Sequence, residues 1–322
     1  MTVDPESIGR PVAVTGASGF IGRRLLARLQ RDGCPTIALS RHGTGVAGLR
    51  DVVVTDYGDL PTLSRALAGA DVLVHLAGRA HQASRGLRDT ELFRAANVAT
   101  TLSVARACIA ADVRRFVLVS SIGVNGNCTQ RHPFSENDVP HPVEPYAVSK
   151  WEAECALAAL LRGQSIEYVV LRPPLVYGPG CPGNFRSLVR FVARAPIVPL
   201  GALRAPRSFM YVDNLVDAVL VAARYPGLSG RTFLLADGRD VSVAEVVREL
   251  AAVLRPSQST ILEVPPWLLA LIAWICGRFS VYQRLASPLQ VDASEFGRAT
   301  GWTAPFDPYD GLRESARHFR GP

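Results

Sequence analysis

Tyr146-Ala147-Val148-Ser149-Lys150 sets a phenol and an ammonium four residues apart, on one face of any helix that carries them. Pro145, directly ahead, suits the first position of such a helix. A tyrosine at its reference pKa of ~10 exchanges protons poorly near neutrality, and a neighbouring cation lowers that value. Lys150 can supply the charge and can also hold a ribose. It is the one lysine among 35 basic residues, the rest being arginine. A hydroxyl bound to the reacting oxygen would complete an acid–base set, and Ser120 and Ser121 close a β-branched run where such a group could stand. The ordinary alternative is an exposed helical Tyr–Lys pair with no chemistry.

A second constellation lies near the N-terminus. Thr15-Gly16-Ala17-Ser18-Gly19-Phe20-Ile21-Gly22 follows a short apolar run and opens a helical pattern. Gly16 permits a tight turn, Gly19 lets backbone approach a pyrophosphate, and Gly22 permits close helix–strand packing. The helix start then offers free N–H groups and the positive end of its dipole to phosphate. Ser18, Phe20 and Ile21 complete the expected loop contacts. At the end of the second apolar run the chain reads Leu39-Ser40-Arg41-His42-Gly43, with no carboxylate for a ribose 2′-hydroxyl. Ser40 and Arg41 are the residues that would accommodate a 2′-phosphate. That favours NADP(H), with NAD(H) as the alternative. Asp56 and Tyr57 stand where an adenine edge could be met, or in a surface turn, and Leu76-Ala77-Gly78 would pass the adenine ribose.

These residues need strands that end together. Pro11–Thr15, Thr36–Ser40, Asp51–Asp56, Asp71–Leu76, Arg115–Ser120 and Glu167–Leu171 read as strands. Helical patterns run from the glycine loop to Gly33 and over Leu60–Ala68, Leu92–Ala111 and Pro145–Arg162. The alternation predicts βαβ units and a doubly wound parallel sheet. Beyond Arg172 prolines recur, and helical patterns return at Asn214–Arg224, Val243–Leu254 and Pro266–Gly277. The expected division is a dinucleotide-binding domain over 8–173, with 208–237 folding back onto it, and a smaller mixed domain from 174–207 and 238–322.

Composition narrows the partners. The 322 residues carry a formal charge of +7, but the arginines are scattered, so anionic small molecules are better candidates than nucleic acid. Six cysteines show no CxxC pair, which argues against zinc and against a disulfide scaffold. The N-terminus has no apolar signal region, so the cytoplasm is the expected location. The stretch Val264–Cys276 falls short of the ~20 residues that span a bilayer and reads as a buried or interfacial helix, which leaves peripheral membrane contact open. His75, His81, His132 and His141 have no ligating spacing and read as structural or solvated.

TGASGFIG, HLAG, Asn97-Val98, VSSIGVNG, YAVSK, LRPPLVYGPG, RSFMYVDNLVDA and a late GW together resemble the extended short-chain dehydrogenase/reductase family over nearly the whole chain. Within it the closest resemblance is to the nucleotide-sugar epimerase, dehydratase and reductase group. The resemblance implies a Rossmann core and a homodimeric enzyme acting on a UDP-sugar. It makes Ser121 the hydroxyl, Tyr146 the acid/base and Lys150 the ribose clamp. Asn97, Ser120, Pro173 and Pro174 would lie along the cofactor and Arg172 behind its strand. On the sugar-nucleotide side it points to Asn184 and Arg207 near the diphosphate, with Arg284 as a second clamp. Asn125 departs from the pattern, standing where many members carry tyrosine.

Three reactions share this set. A 4,6-dehydratase needs acids beside the serine, and Ile122-Gly123 offers none. A 4-epimerase usually retains NAD, while a 4-keto reductase consumes NADPH, which fits Ser40-Arg41. The Phe134–Asp138 and Val264–Ala286 segments also resemble reductases of UDP-4-keto-6-deoxy-N-acetylhexosamines in bacterial O-antigen synthesis. The expectation is that reductase, with a UDP-hexose or UDP-N-acetylhexosamine 4-epimerase as the alternative.

Overall fold

A computed structural model describes residues 10–79, 87–256 and 260–320. The terminal pieces of the expected domains, a short internal stretch and His81 fall outside them.

Seven parallel strands form the central sheet. β1 (Val12–Thr15) is buried at every residue, as a strand covered on both faces must be. It pairs on one side with β2 (Thr36–Ser40), which pairs with β3 (Arg50–Val53). On the other side it meets β4 (Val72–His75), followed by β5 (Arg115–Val119), β6 (Glu167–Arg172) and β11 (Arg231–Leu234). The strand order therefore reverses between β1 and β4, and ligands of such sheets bind at that crevice, outside the carboxyl ends of the strands.

Helices cover both faces. α1 (Phe20–Arg31) presents Gly22, Leu25, Leu26 and Leu29 inward, at helical spacing. Beside it lies α7 (Val212–Arg224), tied by an Arg28–Asp217 contact of 3.2 Å, and together they cover one apolar layer. α2 (Leu60–Leu67), α4 (Thr100–Ala110) and α5 (Pro145–Leu161) cover the other. A third core gathers Phe185, Val189, Val192, Val247, Leu250 and Ala316 from α6 (Gly183–Arg194), α8 (Val243–Leu254) and α12 (Pro308–Arg320). Ser242 and Glu245 cap α8 reciprocally. Short pairs complete the smaller part: β7 (Leu175–Tyr177) with β10 (Phe209–Tyr211), β8 (Ile197–Val198) with β13 (Thr260–Ile261), and β9 (Pro206–Arg207) with β12 (Val241–Ser242). α9 (Pro266–Ile275), α10 (Phe279–Ala286) and α11 (Ser294–Thr300) fill the C-terminal third.

Three elements differ from expectation. The helix expected over Leu92–Ala111 is two, α3 (Leu87–Phe93) and α4, joined through a wider π-helical turn at Arg94–Ala99. The widened turn buries Asn97, whose amide bonds to Ser149 at 2.8 Å and accepts from the Arg79 N–H at 2.8 Å. β3 stops at Val53, and Asp56 lies beyond it, its carboxylate accepting the Gly58 N–H at 2.7 Å in a side-chain turn. The apolar 264–276 stretch does not enter the core: no residue of α9 is buried.

Candidate active site

The carboxyl ends of β1, β2, β4, β5 and β6 bring most of the expected cofactor residues to one edge. Gly16 turns at φ +67°, and a Cβ there would lie 2.7 Å from the Ala77 nitrogen, so the loop after β1 packs directly on the Leu76–Gly78 loop after β4. A Cβ on Gly22 would strike the Gly16 carbonyl. Gly19 stands at the N-cap of α1, where no side chain caps the helix and no acid occupies the first turn. The free N–H groups there suit a diphosphate. Ser18 contributes its carbonyl to Arg23 at 2.9 Å, while Phe20 and Ile21 pack toward the C-terminal core.

At the end of β2 the Ser40 hydroxyl is buried and finds no hydrogen-bond partner among the described residues. Such a group is uncommon in a native protein and is suited to a polar ligand. Arg41 beside it is exposed. The Tyr57 hydroxyl reaches the Gly16 N–H, with Arg41 close enough to oppose the upward push that burial gives its pKa. Asp56 is exposed and its carboxylate is engaged in its own turn. Free helix N–H groups, an orphan buried hydroxyl and a guanidinium beside it fit a dinucleotide.

Beneath the β4 loop runs a continuous hydrogen-bond chain. The Ala77 N–H reaches Thr15 Oγ1 at 3.4 Å, and Thr15 Oγ1 meets His75 Nδ1 at 2.8 Å. Thr101 Oγ1 donates to the Asn97 carbonyl at 2.6 Å, so toward His75 Nε2, 3.1 Å away, it can only accept. His75 is therefore the Nε2–H tautomer, donating to Thr101 and accepting from Thr15. Burial, reinforced by the Lys150 ammonium, holds its pKa down at about 3. Gly78 sits against Asn97, where a Cβ would come within 2.7 Å of Oδ1.

Ser121, Tyr146 and Lys150 come together at the end of β5. Ser121 leaves the strand, accepts the Gly123 N–H at 3.2 Å and hydrogen-bonds Tyr146. Tyr146 lies in the first turn of α5, opposite Phe93 at 6.1 Å between ring centres. Lys150, one turn on, donates to the Val119 carbonyl at 2.8 Å. Burial pushes the Tyr146 phenol up to about 12, with Ser121 opposing it, and pulls Lys150 down to about 8 against Glu154. The expectation that Lys150 would lower the tyrosine's pKa is not met in this geometry. The ammonium is directed to the strand carbonyl, and desolvation decides the phenol's value. Pro173 and Pro174, both buried, follow β6, and the Pro173 carbonyl accepts the Ile122 N–H at 2.9 Å.

Ser120, expected along the cofactor, instead turns its hydroxyl inward to Glu154. Glu154 is 4% exposed and pairs with Arg172 Nη2 at 2.6 Å, while Arg172 Nη1 donates to Asn125 at 2.9 Å and its guanidinium lies over Trp151. Asn125 is thereby committed to the interior. Sequence reading missed this network, although Tyr146, Lys150 and Glu154 recur every four residues on one face of α5.

The expected substrate residues are less closely gathered. Arg207 is half-buried and donates to the Ser287 carbonyl, just past α10. Arg284, within α10, is exposed and lies 3.5 Å from Glu144, the residue that precedes α5. Asn184 is exposed in the first turn of α6.

A doubly wound sheet with this loop and this Ser–Tyr–Lys cluster defines a dinucleotide-dependent short-chain enzyme. Residues 12–236 match the model of the NAD dependent epimerase/dehydratase family, and the chain belongs to that family. Membership makes it an NAD(P)-dependent sugar-nucleotide enzyme. It is 34% identical to a UDP-glucose 4-epimerase of Vibrio cholerae, over 99% of this chain and 98% of that protein. It is 30% identical to a GDP-6-deoxy-D-mannose reductase of Pseudomonas aeruginosa, over 74% of this chain and 78% of that one. Among solved structures, MoeE5 in complex with UDP-glucuronic acid and NAD superposes with a TM-score of 0.77 at 25% identity, covering 96% of this chain and 99% of that chain.

Proposed function

We propose that this chain reduces the C4 keto group of a UDP-4-keto-6-deoxy-N-acetylhexosamine with NADPH, supplying a sugar nucleotide for bacterial surface polysaccharide. The observation that carries the cofactor choice is the end of β2: a buried Ser40 hydroxyl with no partner among the described residues, Arg41 next to it and no carboxylate within Leu39–Gly43. A 2′-phosphate would satisfy both groups.

Bound NADPH would supply the hydride. Tyr146, whose phenol is held fully protonated across the neutral range, gives its proton to the C4 oxygen as the ketone becomes an alcohol. Ser121 orients that oxygen through its hydroxyl, and Lys150 holds the nicotinamide ribose. Arg207, Arg284 and Asn184 are assigned to the nucleotide diphosphate, for which arginine is the better donor. The MoeE5 complex supports UDP as the nucleotide.

A 4-epimerase is the second reading, favoured by the near full-length similarity to the Vibrio cholerae protein. It would have Tyr146 take a proton from a substrate hydroxyl first and return it after the hydride has changed face. The test is a pair of titrations, NADPH and NADH, on wild type and Arg41→Ala at fixed ionic strength. A charge-assisted hydrogen bond contributes ~1.5–3 kcal/mol, so wild type should prefer NADPH by roughly ten- to a hundredfold and the variant should lose most of that. Equal affinities in wild type, or protein purifying with NAD bound, would move the epimerase ahead.

A further inference from the structure

α9 reads Pro-Trp-Leu-Leu-Ala-Leu-Ile-Ala-Trp-Ile, ten residues without a polar side chain, and none of them is buried. Trp267 and Trp274 are 68% and 69% exposed, and Leu271, Ile272 and Ile275 all exceed 45%. At 100° per residue these five occupy one arc of roughly 160°, while Leu269 lies opposite, against the C-terminal core. α10 extends the surface with exposed Phe279 and Val281. Monomeric proteins rarely leave so continuous an apolar face in water.

We infer that the α9–α10 hairpin docks on an anionic lipid bilayer and inserts into the headgroup–acyl boundary. Its length is about 15 Å, half the hydrocarbon thickness, so it can lie in the interface but cannot cross it. Tryptophans near both ends of α9 are the side chains that settle at that depth. The charge is compatible with an anionic surface: residues 264–286 contain no acid, and Arg278 sits at the bend between the two helices. The nearest acids on flanking segments are already shared, Glu263 with Arg204 and Arg248, and Glu144 with Arg284. A second copy of the chain is the competing occupant, and it would leave Arg278 facing an acid-free hairpin in any symmetric pairing of α9 with α9.

The hairpin also adjoins the candidate substrate side. Arg284 reaches the residue before α5, and Arg207 bonds to the carbonyl just after α10. Docking would therefore hold the sugar-nucleotide entrance close to the membrane surface. The inference does not depend on whether the reaction is a reduction or an epimerisation.

The test is co-sedimentation of the full chain with vesicles of phosphatidylethanolamine and phosphatidylglycerol, beside vesicles of phosphatidylcholine alone. Wild type should pellet with the anionic vesicles, more weakly as salt rises, and less with phosphatidylcholine. Trp267→Glu/Trp274→Glu should lower the partition by at least about tenfold with cofactor affinity unchanged. Tryptophan emission of wild type should shift to the blue on the vesicles and be quenched by brominated acyl chains, a readout that needs no variant. Absence of pelleting, equal partition onto both vesicle types, or equal partition of the double variant would overturn the inference. So would a wild-type oligomer that ignores vesicles and that the double variant dissociates.

Discussion

The two sides of the site are built differently. On the candidate cofactor side the groups on offer are backbone and buried hydroxyls, fixed by close-packed loops: Gly16 against Ala77, Gly78 against Asn97, Ser40 enclosed at the end of β2. On the substrate side the candidates are long side chains on separate elements, with Arg284 and Asn184 exposed to solvent. The first side is held by packed backbone, and the second by side chains on separate elements, two of them exposed. Errors should therefore be costly on the first side and mild on the second.

The largest loss is expected from Tyr146→Phe, which removes the proposed proton donor and leaves the cofactor cradle alone. Single-turnover kinetics should show kcat lower by ~10²–10⁴-fold with cofactor affinity nearly unchanged. Retention of half the wild-type rate, with chemistry rate-limiting, would remove Tyr146 from the reaction.

His75 makes the cofactor side sensitive to acid. Its folded pKa of about 3 lies below the ordinary histidine value of 6.5, so the unfolded chain binds the extra proton first. Stability is therefore full above that window and falls as pH drops through it, by about 1.4 kcal/mol per unit. Urea midpoints measured down this range should fall steeply in wild type and more gently in His75→Asn.

Glu154→Gln should destabilise by about 3 kcal/mol, because it leaves Arg172 buried without its carboxylate. It should also move a pH profile, a change that lost packing alone would not produce. Lys150 loses its proton near about 8 in the free enzyme, and Glu154 is the group that supports its charge. The alkaline limb of kcat/KM should thus fall near 8 in wild type and lower still in the variant.

The smallest effect belongs to Arg284→Ala. Its ion pair with Glu144 is solvent-exposed and contributes no more than about 1 kcal/mol to stability, so a severalfold rise in KM at unchanged kcat is expected. A loss as large as that of Tyr146→Phe would show that the substrate side is as rigidly organised as the cofactor side.

The same contrast explains what could be read from sequence. The glycine loop, the strand ends and the Tyr–Lys spacing are local patterns, each with a backbone or helical reason visible within about eight residues. The π turn at Asn97 was not legible, because it answers to Arg79 and Ser149, which lie far away in sequence. Nor was the inward turn of Ser120, which depends on Glu154 being drawn under β5 by Arg172 from β6. The exposure of α9 was only half legible: its apolar run signals burial, and where that burial occurs is decided by packing that a one-dimensional pattern does not contain.

The most direct measurement incubates the purified protein with UDP-4-keto-6-deoxy-N-acetylglucosamine and NADPH, and separately with UDP-N-acetylglucosamine and no added cofactor. Reduction at C4 should consume one NADPH for each sugar nucleotide converted and leave the second sample unchanged. Formation of the C4 epimer in the second sample, with no NADPH consumed in the first, would contradict the reductase and establish the epimerase on the same fold.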